Sequence, residues 1–145
     1  MMRLMLVDTF ALIHRSYHAL PRLTTPQGEP IGAVYGFSRL FLKAIREFKP
    51  DYVAAAFDLP QPTFRHQLYK NYQATRPKVA EELSSQIPKV KILLDAFGVP
   101  VLSFPGFEAD DVIGSVVKKY KDKPNLEVII ITGDLDTLQL VGGKV

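Results

Sequence analysis

Seven acidic residues fall in four short groups, and each group follows an apolar run of the chain. They are Asp8, Asp58, Glu108, Asp110, Asp111, Asp134 and Asp136. The apolar runs are typical of buried parallel strands, so the acids are expected at the carboxyl edge of a sheet, where such folds bind ligands. Carboxylates suit Mg²⁺ or Mn²⁺, whereas zinc prefers nitrogen and sulfur. The pattern therefore predicts a divalent-cation site.

Phosphodiester hydrolysis is the chemistry that such a site could support. Two divalent ions about 4 Å apart stabilise both the attacking and the leaving oxygen of a phosphoryl displacement. Each acid also has a structural alternative, since Asp8 can cap a helix and Asp110 and Asp111 can complement a helix macrodipole. However, seven clustered carboxylates would repel one another and raise one another's pKa values unless cations were present, which favours the metal site.

A basic segment, residues 63–78, follows the second group of acids and contains no acid itself. Its cations and aromatic residues are Arg65, Lys70, Arg76 and Lys78, with Phe64, Tyr69 and Tyr72. Cations can bind phosphates while rings stack on unpaired bases, although the same residues could form a solvated helix with its rings in the core. The neighbouring carboxylates favour nucleic-acid binding.

The elements that must position these residues alternate along the chain. Apolar runs predict strands at residues 4–7, 52–57, 99–104 and 126–131. Helical periodicity and end signals predict helices at residues 10–20, 31–48, 80–97 and 108–120, with Thr9 and Gly98 as caps. Residues 21–30 should form a loop or hairpin, and residues 135–145 a short helix or loop and the start of a strand. This order predicts an α/β fold, a mainly parallel sheet with helices on both faces.

The composition suits a protein that binds a polyanion. The net charge is +3, but without the seven clustered acids eight acids remain against 18 Lys and Arg, a formal charge of +10. The absence of cysteine excludes disulfides and thiolate metal sites and is compatible with a reducing cytoplasm. No apolar stretch approaches the roughly 18 residues of a membrane span, so no membrane partner is expected.

Several motifs in order resemble the flap endonuclease family, in particular the 5′-nuclease domain of bacterial DNA polymerases I. The resemblance covers essentially the whole chain. It rests on Leu-Val-Asp8, residues 15–20, residues 23–30, residues 33–37, Ala-Phe-Asp58, residues 64–66, Pro-Gly-Phe-Glu-Ala-Asp-Asp111 and Thr-Gly-Asp-Leu-Asp-Thr-Leu-Gln139.

The resemblance implies that residues 1–145 are the catalytic portion of such a domain, with a PIN-like (resolvase-like) fold. It also implies 5′→3′ exonuclease and flap-cutting activity on DNA in replication and repair, two Mg²⁺ or Mn²⁺ ions, and a polymerase domain linked in the full-length protein. All seven acids become metal ligands or support them, and Asp8, Asp58 and Arg76 become catalytic. The expected nucleic-acid contacts are Arg15, Arg65, Lys70, Tyr72, Arg76 and Lys78, several of them in a helical arch formed by the basic segment.

Three departures from the family pattern bear on activity. The family usually has a lysine after the tyrosine at position 72, and this chain has Gln73. A basic residue commonly separates the last two aspartates, and here it is Leu135. Family members continue with a helix-hairpin-helix and two further aspartates, which these 145 residues do not include, so either the chain is truncated or that part has been lost. Two alternatives therefore stand beside the DNA nuclease: a PIN-like ribonuclease, and a nucleic-acid-binding domain without efficient chemistry.

Overall fold

A four-stranded parallel sheet, in the order β3-β2-β1-β4, forms the centre of the protein. The computed structural model describes residues 1–20, 22–75 and 77–145. The strands are β1 (Met2–Asp8), β2 (Tyr52–Ala56), β3 (Val101–Leu102) and β4 (Leu126–Ile131). Asp8 is in register with Ala56, and Val7 with Ile131, so the carboxyl ends of β1, β2 and β4 are level.

Helices cover both faces of this sheet, and the predicted α/β architecture is confirmed. The α-helices are α1 (Thr9–Ala19), α2 (Gly32–Phe48), α3 (Phe64–Leu68), α4 (Glu81–Ser84), α5 (Ile87–Ala96) and α6 (Ala109–Tyr120). A 3-10 helix, Leu135–Leu140, follows β4. Met5 and Val7 of β1 point into the core formed with α1, α2 and α5, while Leu6 points into the core formed with α6. Alternate residues of β1 thus contact opposite helical layers.

A close crossing of α1 and α2 fixes the helical layer beside β1. A Cβ atom at Gly36 would lie 2.7 Å from Ser16 Cβ and 2.9 Å from Leu20 Cδ1. Only glycine fits at this position without displacing α1. The crossing matters for the site because α1 begins directly after Asp8.

The predicted helix over residues 80–97 is wrong in one respect, because it is two helices. The chain turns at Ser85 and Gln86 between α4 and α5. The Gln86 side chain is buried and accepts hydrogen bonds from Ala33 N (2.8 Å) and Val34 N (3.3 Å) at the start of α2. Pro88 lies in the first turn of α5, where its missing N–H breaks no helical hydrogen bond.

Other boundaries differ for local reasons. Asp8, not Thr9, caps α1, and its carboxylate accepts from Ala11 N at 3.3 Å. The third strand is shorter than predicted because it lies at the edge of the sheet and runs into the Pro105–Gly106 turn. After the 3-10 helix, Val128 N of β4 donates to Lys144 O (2.8 Å), so the chain returns to the open edge of β4 as the predicted strand start requires.

The basic segment is helical only over Phe64–Leu68 among its described residues, so the expectation of a helical arch is met by a single short helix. Turns follow at residues 70–75, where Gln73 adopts a left-handed backbone conformation with φ of 56°. Arg76 lies outside the described residues.

Candidate active site

Three carboxylates meet where the chain changes direction across the sheet. The chain passes from β1 to β2 and β3 on one side, then crosses to β4 on the other, which makes the β1–β4 carboxyl edge the switch point of the fold. Asp110 projects from the first turn of α6, and Asp134 and Asp136 follow β4. One oxygen from each of these three side chains lies within 4.8 Å of the other two. We call this set the acidic triad.

Asp110 carries the electrostatic signature of the crowding. Its pKa is raised from 3.8 to about 6, first by burial and then by the charges of Asp8, Asp134, Asp58 and Glu108. Asp8 and Asp58 are therefore close enough to act on the triad, as the strand ends predicted. A like-charge cluster of this kind favours a bound cation.

Asp8 is buried beneath the triad and is held on both oxygens. Oδ2 accepts from the Thr132 hydroxyl at 2.7 Å, and Oδ1 accepts from Ala11 N. Burial raises the pKa of Asp8, and the hydrogen bond from Thr132 partly offsets that increase. The Thr132 hydroxyl also accepts from Asp134 N at 3.0 Å, so it links two of the acids. No role for Thr132 was predicted from the sequence, although its position between β4 and Asp134 indicates a residue of the site.

Asp58 joins the second strand end to α6. It is exposed, and its Oδ1 accepts from Ala109 N at 2.8 Å, in the first turn of that helix. The helix N-terminus favours the negative charge, and the contact fixes where Asp110 emerges.

Glu108 and Asp111 contact the basic segment and form a second group beside the triad. Arg65 donates to both Asp111 oxygens at 2.6 and 2.7 Å, and its Nη1 lies 3.2 Å from Glu108 Oε2. This ion pair lowers the pKa of Asp111. Asp111 also accepts from Glu108 N at 2.9 Å, which completes a capping box at the start of α6. Arg65, one of the residues predicted to contact DNA, thus binds carboxylates of the protein itself.

Further residues of the basic segment reach Glu108 or solvent. The Tyr72 hydroxyl donates to Glu108 Oε2 at 3.3 Å, and Gln73 Nε2 donates to Oε1 at 3.4 Å. Lys70 and Lys78 are exposed. Arg76, which the resemblance makes a catalytic and DNA-binding residue, lies outside the described part of the chain.

Arg15 lies at the opposite side of the site, on α1. It is exposed, and its Cδ is 3.9 Å from the position of a Cβ at Gly133, the residue before Asp134. The structure thus brings Arg15 next to the β4 end of the acidic edge.

The donor set fits a hard divalent cation. The three residues of the triad offer only carboxylate oxygens, which suit Mg²⁺ or Mn²⁺. Burial raises the pKa of Asp110, and the negative charges of Asp8 and Asp134 raise it further. These residues therefore fit a metal that promotes phosphoryl chemistry.

Comparison with known proteins agrees with this geometry. The family described as "5′-3′ exonuclease, N-terminal resolvase-like domain" matches residues 3–145. The chain belongs to this family. The resolvase-like expectation for the fold is thereby confirmed.

Relatives of this 5′-3′ exonuclease domain include much longer proteins. DNA polymerase I of Caldicellulosiruptor bescii is 44% identical over 144 residues, which cover 99% of this chain and 17% of that protein. The thermostable DNA polymerase I of Thermus aquaticus is 43% identical, covering 99% and 17%. The 5′-3′ exonuclease of Aquifex aeolicus is 40% identical over 145 residues, covering 100% and 50%. The chain spans half or less of the length of these relatives.

Solved structures share the exonuclease-domain fold. A T5 5′-exonuclease with bound divalent zinc ions superposes with a TM-score of 0.72 at 22% identity, covering 98% of this chain and 53% of that chain. A T5 flap endonuclease in a pseudo-enzyme–product complex with DNA and metal ions gives a TM-score of 0.71 at 20% identity, with the same coverage. At this identity the likeness establishes the fold alone.

No helix in residues 1–20, 22–75 and 77–145 is long and apolar enough to span a membrane.

Proposed function

We propose that this chain is the catalytic portion of a metal-dependent 5′→3′ exonuclease and flap endonuclease that hydrolyses phosphodiesters in DNA. The observation that carries the proposal is the acidic triad, with carboxylate oxygens within 4.8 Å of one another at the switch point of the sheet. Membership of the 5′-3′ exonuclease family supports the reaction class.

Two Mg²⁺ or Mn²⁺ ions would be held at the acidic edge. The triad would bind one of them, and Asp8, Asp58 and Glu108, whose charges act on Asp110, would help to hold the second. When bound, such ions stabilise the charge that develops on the phosphate and lower the pKa of water. Asp111 would act through Arg65, since both of its oxygens already accept from that guanidinium.

The protein's own side chains set the geometry of this site. The Thr132 hydroxyl donates to the Asp8 carboxylate and accepts from the backbone N–H of Asp134. These two bonds fix the end of β1 relative to the end of β4. Asp58 holds the start of α6. Lys70, Lys78 and Arg15 are exposed, so their side chains are free to bind the phosphates of the entering strand.

DNA is the proposed substrate, because a T5 structure of the same fold contains DNA and several relatives are DNA polymerases I. For the same reason we propose that a polymerase domain follows in the full-length protein. Replication and repair in the bacterial cytoplasm are the expected setting.

The test is cleavage of a 5′-labelled flap DNA with Mg²⁺, with Mn²⁺ and with chelator. Asp136→Ala should abolish cleavage, because it removes a triad oxygen that accepts no hydrogen bond within the described residues. Asp122→Ala removes an exposed acid from another part of the chain and should cut like the wild type. A wild type that cuts in no metal, or an active Asp136→Ala, would overturn the proposal. A flap of RNA in the same assay separates a ribonuclease from a DNA nuclease.

Gln73 favours a second candidate, a nucleic-acid-binding domain without efficient chemistry. Its amide donates to Glu108 at 3.4 Å, in the position where the family usually has a lysine. A lysine there would add a positive charge next to the metal site. If the wild type binds DNA without cutting and Gln73→Lys cuts, this second function is correct.

A further inference from the structure

Three phenylalanine rings form a partly exposed cluster beside the acidic edge. Phe107 contacts both Phe64, with ring centroids 5.5 Å apart, and Phe104, with centroids 5.6 Å apart. Phe104 is 62% exposed and Phe107 44% exposed, whereas the core rings of Phe37 and Phe41 are 0% and 2% exposed. We call Phe64, Phe104 and Phe107 the aromatic patch.

The position of the patch is fixed by backbone contacts. Phe64 N donates to Gly106 O at 2.9 Å, which joins the start of α3 to the turn after β3. Gly106 has a φ of +85°, a conformation that favours glycine, and it allows the turn that brings Phe104 and Phe107 together. Phe107 directly precedes Glu108, so the patch adjoins the acids without being part of them.

Charge beside the patch selects among possible occupants. The guanidinium of Arg65 lies 4.6 Å from the centroid of the Phe64 ring. Arg65 is itself paired with Asp111 and Glu108, but the basic segment to which Phe64 belongs carries three further cations and no acid. Flat apolar faces next to cations match a nucleotide, whose base stacks on rings while its phosphate pairs with cations. An acidic protein surface would not use the rings, and an apolar protein surface would not use the exposed cations Lys70 and Lys78 of the basic segment.

We propose that the aromatic patch is a stacking site for unpaired bases of the strand that enters the acidic edge. A stacking site here deepens the proposed nuclease function and presupposes it, because the strand that is cut would be the strand whose bases are held. Every base has a π face, so the site accepts any sequence. It distinguishes an unpaired strand from a duplex, whose bases are already stacked.

The variants that test this site change ring stacking and keep apolar volume. Phe104→Leu and Phe107→Leu leave the backbone contact between Phe64 and Gly106 in place. Tyr52→Leu is the control, because Tyr52 is 56% exposed and begins β2, at the end of the sheet opposite to the acids. Unchanged melting temperatures verify that each variant is folded.

The measurement compares two labelled single strands, in chelator, by fluorescence anisotropy. One strand carries bases throughout, and the other has an abasic stretch with the same phosphates. We expect the wild type and Tyr52→Leu to prefer the strand with bases. Phe104→Leu and Phe107→Leu should lower the affinity for that strand about five-fold or more, with the affinity for the abasic strand unchanged.

The proposal is overturned if both affinities fall equally, because the rings would then be structural, or if neither changes. A wild type with no preference for bases also overturns it. Cleavage of the flap substrate with Mg²⁺ reports separately on the nuclease function. A protein that cuts normally while its leucine variants bind like the wild type disproves the stacking site alone.

Discussion

The carboxylates of the acidic edge differ in what they do for the metal-free fold. Asp8, Asp58 and Asp111 each accept a backbone N–H at the start of a helix. Within the described residues, no hydrogen bond to the Asp110 carboxylate offsets the repulsion of its neighbours. Asp110 is therefore the acid whose charge costs the metal-free protein most, and a substitution there separates metal binding from folding.

Asp110→Asn should make the metal-free protein more stable at neutral pH and weaken its binding of divalent metal. The pKa of Asp110 is about 6 when folded against an ordinary 3.8, so the folded state binds more protons between these values. This group therefore lowers the free energy of unfolding as the pH rises from about 4 to about 6. Removing the charge should restore about 1 kcal/mol above pH 6, after allowance for partial solvent exposure. Urea unfolding in chelator at pH 4.5 and pH 7.5 measures the change.

Asp122→Asn is the matched control, since it removes an exposed charge outside the acidic edge. Its stability should follow the wild type at both pH values. Calorimetric titration with Mn²⁺ should show weaker binding for Asp110→Asn alone. If Asp110→Asn is less stable than the wild type at pH 7.5, its carboxylate has a structural role that the geometry does not contain.

The proximity of the acids could be predicted from the sequence, but their division into two groups could not. Strand ends identified all seven acids. However, successive residues on a helix point about 100° apart. Asp110 therefore faces Asp134 and Asp136, while Asp111 faces the basic segment. The partner of Asp111 is Arg65, 46 positions earlier in the chain. A contact at that separation depends on how α3 lies against α6, which no local pattern reports.

Between elements, Arg65 connects the basic segment to the acidic edge through ion pairs with Asp111 and Glu108. Arg65 is in α3, the described helix of that segment, and it forms a two-pronged contact with Asp111 in the first turn of α6. Because α3 has only five residues, its own hydrogen bonds stabilise it little, and it depends on such contacts. The order of the basic segment should therefore depend on Arg65.

Arg65→Ala should loosen the basic segment without unfolding the protein. We expect backbone amides of residues 64–75 to exchange hydrogen at least about five-fold faster, which corresponds to about 1 kcal/mol for a partly exposed, bidentate pair. Arg65→Lys should restore part of the protection, because lysine keeps the charge but cannot donate two parallel bonds. Hydrogen exchange followed by mass spectrometry resolves this region.

Arg22→Ala provides the comparison for this experiment. Arg22 lies 3.5 Å from Glu82, but its side chain is 86% exposed, so the loss of that contact should leave exchange in residues 64–75 unchanged. Equal exchange in Arg65→Ala and the wild type would mean that other contacts, such as Tyr72 with Glu108, hold the segment in place.

Long periodic elements were predictable, and short ones were not. The 17 residues of α2 carry a sustained apolar stripe, and the structure keeps the predicted end at Phe48. The division between α4 and α5 has no comparable signal, since the periodicity continues through it. It arises because the buried Gln86 side chain accepts hydrogen bonds from backbone N–H groups at the start of α2, a distant part of the chain. The same limit applies to the basic segment, whose composition indicated binding but not its turns.

On the scale of the whole molecule, charge is separated between the acidic edge and the rest of the surface. The seven clustered acids leave eight others against 18 Lys and Arg. DNA phosphates are thus attracted by most of the protein and repelled at the place where they would be cut. Metal binding at the acidic edge should convert the local repulsion of DNA phosphates into attraction.

Addition of Ca²⁺, which occupies oxygen sites, should therefore raise the affinity for DNA rather than lower it. Divalent cations ordinarily weaken the binding of DNA to basic proteins, because they compete for the phosphates. We expect affinity in Ca²⁺ to exceed that in chelator at matched ionic strength by about ten-fold, since several like charges are neutralised beside the bound strand. Fluorescence anisotropy with a flap DNA measures both constants.

The variant that tests the origin of this rise combines Asp134→Asn with Asp136→Asn, which removes two oxygens of the triad. It should bind DNA more tightly than the wild type in chelator and respond little to Ca²⁺. Asp122→Asn should keep the full response. If Ca²⁺ weakens binding by the wild type, the acidic edge does not face the DNA, and the strand would have to cross the protein elsewhere. A rise that persists in the double variant would instead assign the cation to Asp8, Asp58 and Glu108, the acids that border the triad.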